Sequence, residues 1–293
     1  MELHYQEARR GALREYREAK ARGESPYPLH LDEVIPSAKS SSGQSLGLEQ
    51  IPLALIIGTK TAARTNAFAR NFLPLLDGKS EFAAKWVSLC EAHLSEGIRE
   101  PVKVYEYRNR FYVEEGNKRV SVLKYFDADS ITAQVIRIPG AKDGSREGEM
   151  YDAFLPFYRC SGLRTVEFSR RESYARLQEL MGLAPDQVWT EEERRDFESL
   201  YYYFHKYYVA RGGDGRLPGV CDALLVLLER CGYETLRDMA PEELKERVAE
   251  VWPQMSVPKA KAVLDATEAA AKATGAAAKA IGHMVPEIIK KKI

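Results

Sequence analysis

Tyr112-Val-Glu-Glu-Gly-Asn-Lys-Arg-Val-Ser-Val-Leu-Lys-Tyr125 reads as a strand that ends in two carboxylates, turns at a glycine and becomes a helix. Asn117 stands where a helix cap belongs, and Lys118 and Arg119 fall in the first turn. Cations are unfavourable there on helix grounds alone. The N-terminal end of a helix carries roughly half a positive charge and prefers Asp or Glu by about 0.3–1 kcal/mol. Two cations and first-turn N–H groups converging at Gly116–Arg119 suit a bound phosphate, with Ser121 as a further donor. The alternative is a surface pairing of Glu114 and Glu115 with Lys118 and Arg119, which is common and weak.

Working upstream, a second junction repeats the pattern. Ile51–Gly58 reads as one buried strand, followed by the loop Thr59-Lys60-Thr61. A helix is expected from about Ala62, capped by Thr59 or Thr61, bearing Arg64, Thr65, Asn66 and Arg70 and broken by Pro74. Two strand-to-helix junctions with hydroxyls and cations suggest one shared crevice, the usual place for a small ligand in such sheets. Between them lie a helix over Glu81–Ser95, a strand over Pro101–Tyr107 and a hairpin turn at Arg108-Asn-Arg110 into Phe111–Val113. A helix over Asn117–Phe126 and a strand over Ile131–Ile138 follow. Strands and helices alternate, so the core is α/β or α+β.

The whole chain has 293 residues, enough for two compact units. Its 43 Lys+Arg balance 43 Asp+Glu, which argues against a basic nucleic-acid coat or an acidic tail protein. Hydrophobic residues at 45% suffice for a core. The longest apolar run, Ile51–Ile57, is too short to span a bilayer, and the first 25 residues lack an export core. Cys90, Cys160, Cys221 and Cys231 have no paired spacing and read as reduced thiols. The expectation is a soluble, cytoplasmic protein.

Four segments are expected: an N-terminal helix and linker over 1–46, an α/β domain over 47–140, a helical domain over 150–253, and an Ala/Lys-rich helical tail over 254–293. Residues 37–46 read as a polar connector, and Thr165–Ser169 as a short strand inside the helical part. Residues 46–140 carry a net +2 and residues 141–253 a net −6, which places any anion site in the α/β part.

The order Ile51-Pro-Leu-Ala-Leu-Ile-Ile57, Arg64, Gly97-Ile-Arg-Glu-Pro-Val-Lys-Val104 and Val113-Glu-Glu-Gly-Asn-Lys-Arg-Val-Ser-Val122 resembles the ParB/sulfiredoxin-like superfamily over residues 47–139. The Thr59–Thr65 run with Glu115–Val122 is similar to a ParB-like region found in some bacterial proteins ahead of a basic-membrane-protein (BMP) type substrate-binding domain of ABC transporters; that following domain is absent from this sequence. The resemblance implies an α+β fold, a mixed α/β core followed by a mostly α-helical domain. It also implies a turn that binds ATP or CTP with Mg2+, or another phosphorylated small molecule. Reductase members carry a cysteine after the motif glycine, where this chain has Asn117, so sulfinic-acid reduction is not expected. Partition members carry Glu-Arg-Arg there, and Asn117-Lys118-Arg119 keeps the two cations without the carboxylate. Kinase-like members carry an acid before the glycine, matched by Glu115, and a histidine after it, replaced by Asn117.

Other features read as packing. Cys90 and His93 lie one helical turn apart without further ligands, so no metal site is expected. Tyr201–Tyr208 has helical spacing, with Leu200, Tyr203, Phe204 and Tyr207 on the core side. Residues 223–252 resemble helix–turn–helix in outline, but the last helix holds Glu242, Glu243, Glu246 and Glu250 against Lys245 and Arg247, a poor surface for DNA. The leading expectation is a regulatory module that binds a nucleotide or phosphorylated ligand and signals through a protein partner or self-association of the helical half. The alternatives are a phosphotransferase or NTPase using Glu115, and a DNA-binding partition-like protein, with nucleic acid disfavoured by charge.

Overall fold

The computed structural model describes residues 2–35, 43–62, 65–140 and 144–255. In chain order the elements are α1 (Glu2–Ala21), β1 (Leu29–His30), a one-turn α2 (Leu31–Val34), β2 (Gln44–Pro52), β3 (Ile56–Thr59), α3 (Glu81–Glu96), β4 (Val102–Tyr107), β5 (Arg110–Glu115), α4 (Asn117–Tyr125) and β6 (Ser130–Arg137). They are followed by α5 (Arg146–Ser161), α6 (Glu172–Leu180), α7 (Glu191–Ala210), α8 (Gly219–Cys231), α9 (Tyr233–Arg237) and a helical run over 241–255. A mixed α+β core therefore precedes a helical part. The chain divides into two units within α5, at Pro156, with Leu163–Thr165 returning to the first.

The first unit is built on a six-stranded sheet in the order β1-β3-β5-β4-β6-β2. β1, β3 and β5 run parallel, β4 is antiparallel to β5 and parallel to β6, and β2 closes the far edge antiparallel to β6. The N-terminal segment is part of this unit: β1 joins the sheet, and Tyr5 and Ala8 of α1 enter a core with Ala83, Trp86, Cys90 and Val122. Ser80 caps α3 by accepting from the Ala83 N–H at 3.2 Å.

Several expectations are corrected. The Ile51–Gly58 run is two strands, because Pro52 lacks a ladder donor and a 3-10 turn over Leu53–Leu55 intervenes, held by Leu53 N–H on the Asp129 carbonyl at 2.9 Å. That turn carries the chain from the β2 edge to a place four strands away. Four residue steps reach at most ~14 Å while four flat strand spacings need ~19 Å, so the sheet is strongly coiled. The helix expected from Ala62 to Pro74 does not form. A 3-10 turn at Thr65–Ala67 leads instead into a narrow loop bridged at Phe68 and Pro74, with Ala67, Phe68, Ala69 and Phe72 all buried. Arg64 lies outside the described residues. Gln44–Leu46, expected in a connector, belong to β2, and the rest of that connector up to Ser42 lies outside the described residues. Thr165–Ser169 pairs with no strand among the described residues. Val166 and Phe168 are buried there, and the Ser169 N–H donates to Asp222 Oδ1 at 3.1 Å. The Ala/Lys-rich segment from Ser256 onward lies outside the described residues.

Within the second unit, Thr190 and Glu193 form a capping box at the start of α7. Phe197, Leu200, Phe204, Tyr207 and Tyr208 are buried, whereas Tyr203 is half-buried and Tyr202 exposed. No helix among the described residues is long and apolar enough to cross a membrane.

One packed cation yields a stability prediction. Lys124 Nζ donates to the Ile56 carbonyl at 2.9 Å and stands 5.2 Å from the centre of the Phe72 ring. Burial pulls its pKa down to about 8. The unfolded chain, with an ordinary lysine value near 10.4, binds more protons between these values, so stability rises with pH through that window. At pH 7 the buried charge costs about 3 kcal/mol, and the hydrogen bond returns about 1 kcal/mol. Lys124→Met is expected to be more stable than wild type by about 2 kcal/mol at pH 7 in urea denaturation, an advantage that shrinks as pH rises from about 8 to 10. An advantage that does not change with pH would contradict the buried charge.

Candidate functional site

β5 ends at Glu115, and Gly116 reverses the chain with φ of 102°, a left-handed conformation that disfavours any side chain. There is also no room for one: a Cβ at Gly116 would stand 2.4 Å from Val102 Cγ1. Gly116 itself is the N-cap of α4, so Asn117 is the first helical residue and not the cap expected of it. The first-turn N–H groups of α4 have no carbonyl within the helix to meet.

This turn opens into a cavity of about 1160 Å³. One wall is the turn, from Glu114 to Arg119, together with Thr59 and Thr61 at the end of β3. α3 supplies the facing wall, including Phe82, Lys85 and Leu89, and the loop after β3 adds Asn66, Phe68 and Leu76. The structure thus brings the two strand-end junctions to one space. It does so because β3 and β5 are parallel neighbours, with Thr59 in register with Val113.

The individual side chains divide into those that face the cavity and those that do not. Lys118 lines it, with Nζ 4.9 Å from the centre of the Phe82 ring. Asn117 lines it too, and its Oδ1 is buried without a hydrogen-bond partner, an arrangement that costs about 1–3 kcal/mol when nothing fills it. Thr59 Oγ1 donates to the Thr61 carbonyl at 2.9 Å, which shapes the loop instead of capping a helix. Lys60 is not part of the cavity wall. Its ammonium pairs with Asp32 and lies 5.1 Å from the centre of the Tyr105 ring. Ser121 is also elsewhere: it is fully buried and accepts the Trp86 indole N–H at 2.9 Å, so the expected contact with a ligand oxygen is replaced by a core hydrogen bond.

The carboxylates are distributed around the rim. Glu114 pairs with Lys103 at 2.7 Å, Glu81 with Lys85 at 2.7 Å, and the exposed Glu115 stands 3.7 Å from the Arg119 guanidinium. Arg119 lines the cavity, but its Nη1 donates to the Glu100 carbonyl at 3.0 Å and the Pro101 carbonyl at 2.7 Å. The α3 wall, with Phe82 and Leu89, is not among the site residues expected from sequence. Their seven-residue spacing, with Lys85 between them, is the signal that α3 presents a mixed face.

No protein-family model matches the chain, and no curated protein matches it. Among solved structures, a similar chain is the sulfiredoxin from Arabidopsis thaliana, 18% identical over 30% of this chain and 82% of that one, with a TM-score of 0.22.

Proposed function

We propose that the first unit is a ParB/sulfiredoxin-like module whose cavity binds a phosphorylated small molecule, of the nucleotide class, with the phosphate at the Gly116–Lys118 turn. The observation that carries this reading is the opening of a helix N-terminus, without a side-chain cap, into a cavity walled by Lys118, Thr59 and Thr61. The first-turn N–H groups and the Lys118 ammonium meet the phosphate, and charge-assisted hydrogen bonds of this kind are the stronger class. Phe82, Phe68, Leu76 and Leu89 give the remainder of the ligand an apolar wall. Binding serves a regulatory purpose in this reading, with occupancy passed to a protein partner.

A ligand that binds only the folded state raises the melting temperature by mass action. Millimolar ATP, CTP, GTP or ADP, with and without Mg2+, is expected to raise the melting temperature of wild type and to raise that of Lys118→Ala by less. A rise of equal size in both proteins would remove the turn from the site.

Glu115 supports a second reading, a phosphotransferase or NTPase, because it stands at the rim of the same cavity. Phosphate release from the bound nucleotide that ceases in Glu115→Gln, with binding intact, distinguishes turnover from regulation by occupancy.

A further inference from the structure

We propose that Arg119 is a positioning residue for this turn, and that the phosphate charge is met by Lys118 and the first-turn N–H groups without the guanidinium. The inference rests on the phosphate reading of the cavity and assigns the two adjacent cations different work.

Arg119 is held from three sides. Its Nη1 donates to two successive carbonyls, those of Glu100 and Pro101, in the segment that enters β4. The carboxylates of Glu100 and Glu115 stand 3.7 Å from Nη1 and Nη2. Its Cζ would lie 3.5 Å from a Cβ on Gly116, so the guanidinium packs directly against the turn. The side chain is only 15% exposed as a result.

These contacts join the β5–α4 turn to the start of β4, and Val102 closes the other side of Gly116 at the position a side chain would need. The backbone of Gly116–Lys118 is therefore aimed by a clamp made of Arg119 and residues 100–102. A guanidinium suits this work because it keeps its charge and its planar fork at every accessible pH. Moving Nη1 onto a ligand phosphate would leave two carbonyls without their donor. Lys118 lines the cavity, with its ammonium 4.9 Å from the centre of the Phe82 ring.

The two roles separate by salt dependence, since a charge that contacts phosphate is screened by salt, whereas the Arg119 guanidinium is flanked by the Glu100 and Glu115 carboxylates and its Nη1 is bonded to backbone carbonyls. The test is calorimetric titration of ATP and of inorganic pyrophosphate into wild type, Lys118→Ala, Arg119→Ala and Arg119→Gln, at about 50 and about 500 mM NaCl. Hydrogen exchange at the amides of Ile98–Glu100, Val102 and Gly116–Arg119 accompanies it. Lys118→Ala is expected to weaken binding about tenfold or more and to flatten its salt dependence. Arg119→Ala is expected to weaken binding severalfold in the folded protein with wild-type salt dependence, and to speed exchange at the named amides. Arg119→Gln, which keeps an amide donor without the charge, is expected to recover much of both.

Salt dependence flattened by Arg119→Ala as much as by Lys118→Ala would overturn the proposal, because the guanidinium would then be touching phosphate. Unchanged affinity in Arg119→Ala would overturn it as well, leaving at most a role in overall stability. If wild type binds neither probe, the phosphate reading itself fails. The clamp is then decided by exchange alone: faster exchange in Arg119→Ala supports it, and unchanged exchange refutes it.

Discussion

Glu106→Ala is expected to destabilise the first unit by about 3–5 kcal/mol, because it removes one member of a buried ion pair and strands the other. Glu106 is fully buried in β4. Its carboxylate pairs with the Arg137 guanidinium, accepts the Tyr151 hydroxyl at 2.7 Å and accepts the Asn109 N–H at 2.7 Å. Those three donors come from β6, α5 and the β4–β5 turn, so one carboxylate fixes the end of the sheet away from the cavity. The pair of Arg108 with the exposed carboxylate of Glu147 at 3.4 Å is the control, and Glu147→Ala is expected to cost under about 1 kcal/mol. Urea denaturation of both variants checks the contrast. Similar small losses in the two would contradict the network.

Gly116→Ala has the second large effect, and it acts on stability and on the site together. The left-handed backbone costs a side chain about 1–2 kcal/mol. The added methyl at 2.4 Å from Val102 forces a shift worth a further 1–3 kcal/mol or so. A loss of about 2–5 kcal/mol in urea denaturation is expected, together with loss of the nucleotide-dependent rise in melting temperature, since relieving the clash moves the first turn of α4. A variant with wild-type stability would mean that the turn adapts freely, contrary to the rigid geometry described.

Much of the central fold is legible in local sequence. The β4–β5 hairpin shows in the alternation of Val102–Tyr107 and in Arg108-Asn109, both of which take positive φ at the turn. The helices α3 and α4 and the strand β6 lie within two residues of their expected bounds. The misread stretches are those in which tertiary contacts override local pattern. Ile51–Gly58 is continuously apolar, so its division at Pro52 depends on Asp129 accepting from Leu53, a contact remote in sequence. The stretch expected as a helix, from Ala62 to Pro74, has alanines and arginines that favour one. Phe68 and Phe72 are nonetheless both buried, and Phe72 sits at φ of 66°, which no helix allows.

The site shows the same division. Gly116–Arg119 is visible because its cations break the usual charge preference of a helix start. Spacing along α4 cannot tell a ligand-facing hydroxyl from a buried one, and Ser121 is assigned to the core only by the Trp86 indole across the helix pair. Lys60 is withdrawn from the cavity by Asp32, which arrives with β1 and α2, a segment whose place in the sheet its two-residue strand does not announce. Phe82 and Lys85 become part of the site only when α3 packs opposite α4.

The most direct test of the phosphate reading is a calorimetric titration of ATP and CTP, with and without Mg2+, into wild type and Lys118→Ala, both shown to be folded. The account predicts saturable binding to wild type that falls about tenfold or more in Lys118→Ala. Equal binding by both proteins, or no binding to wild type at millimolar nucleotide, would contradict it.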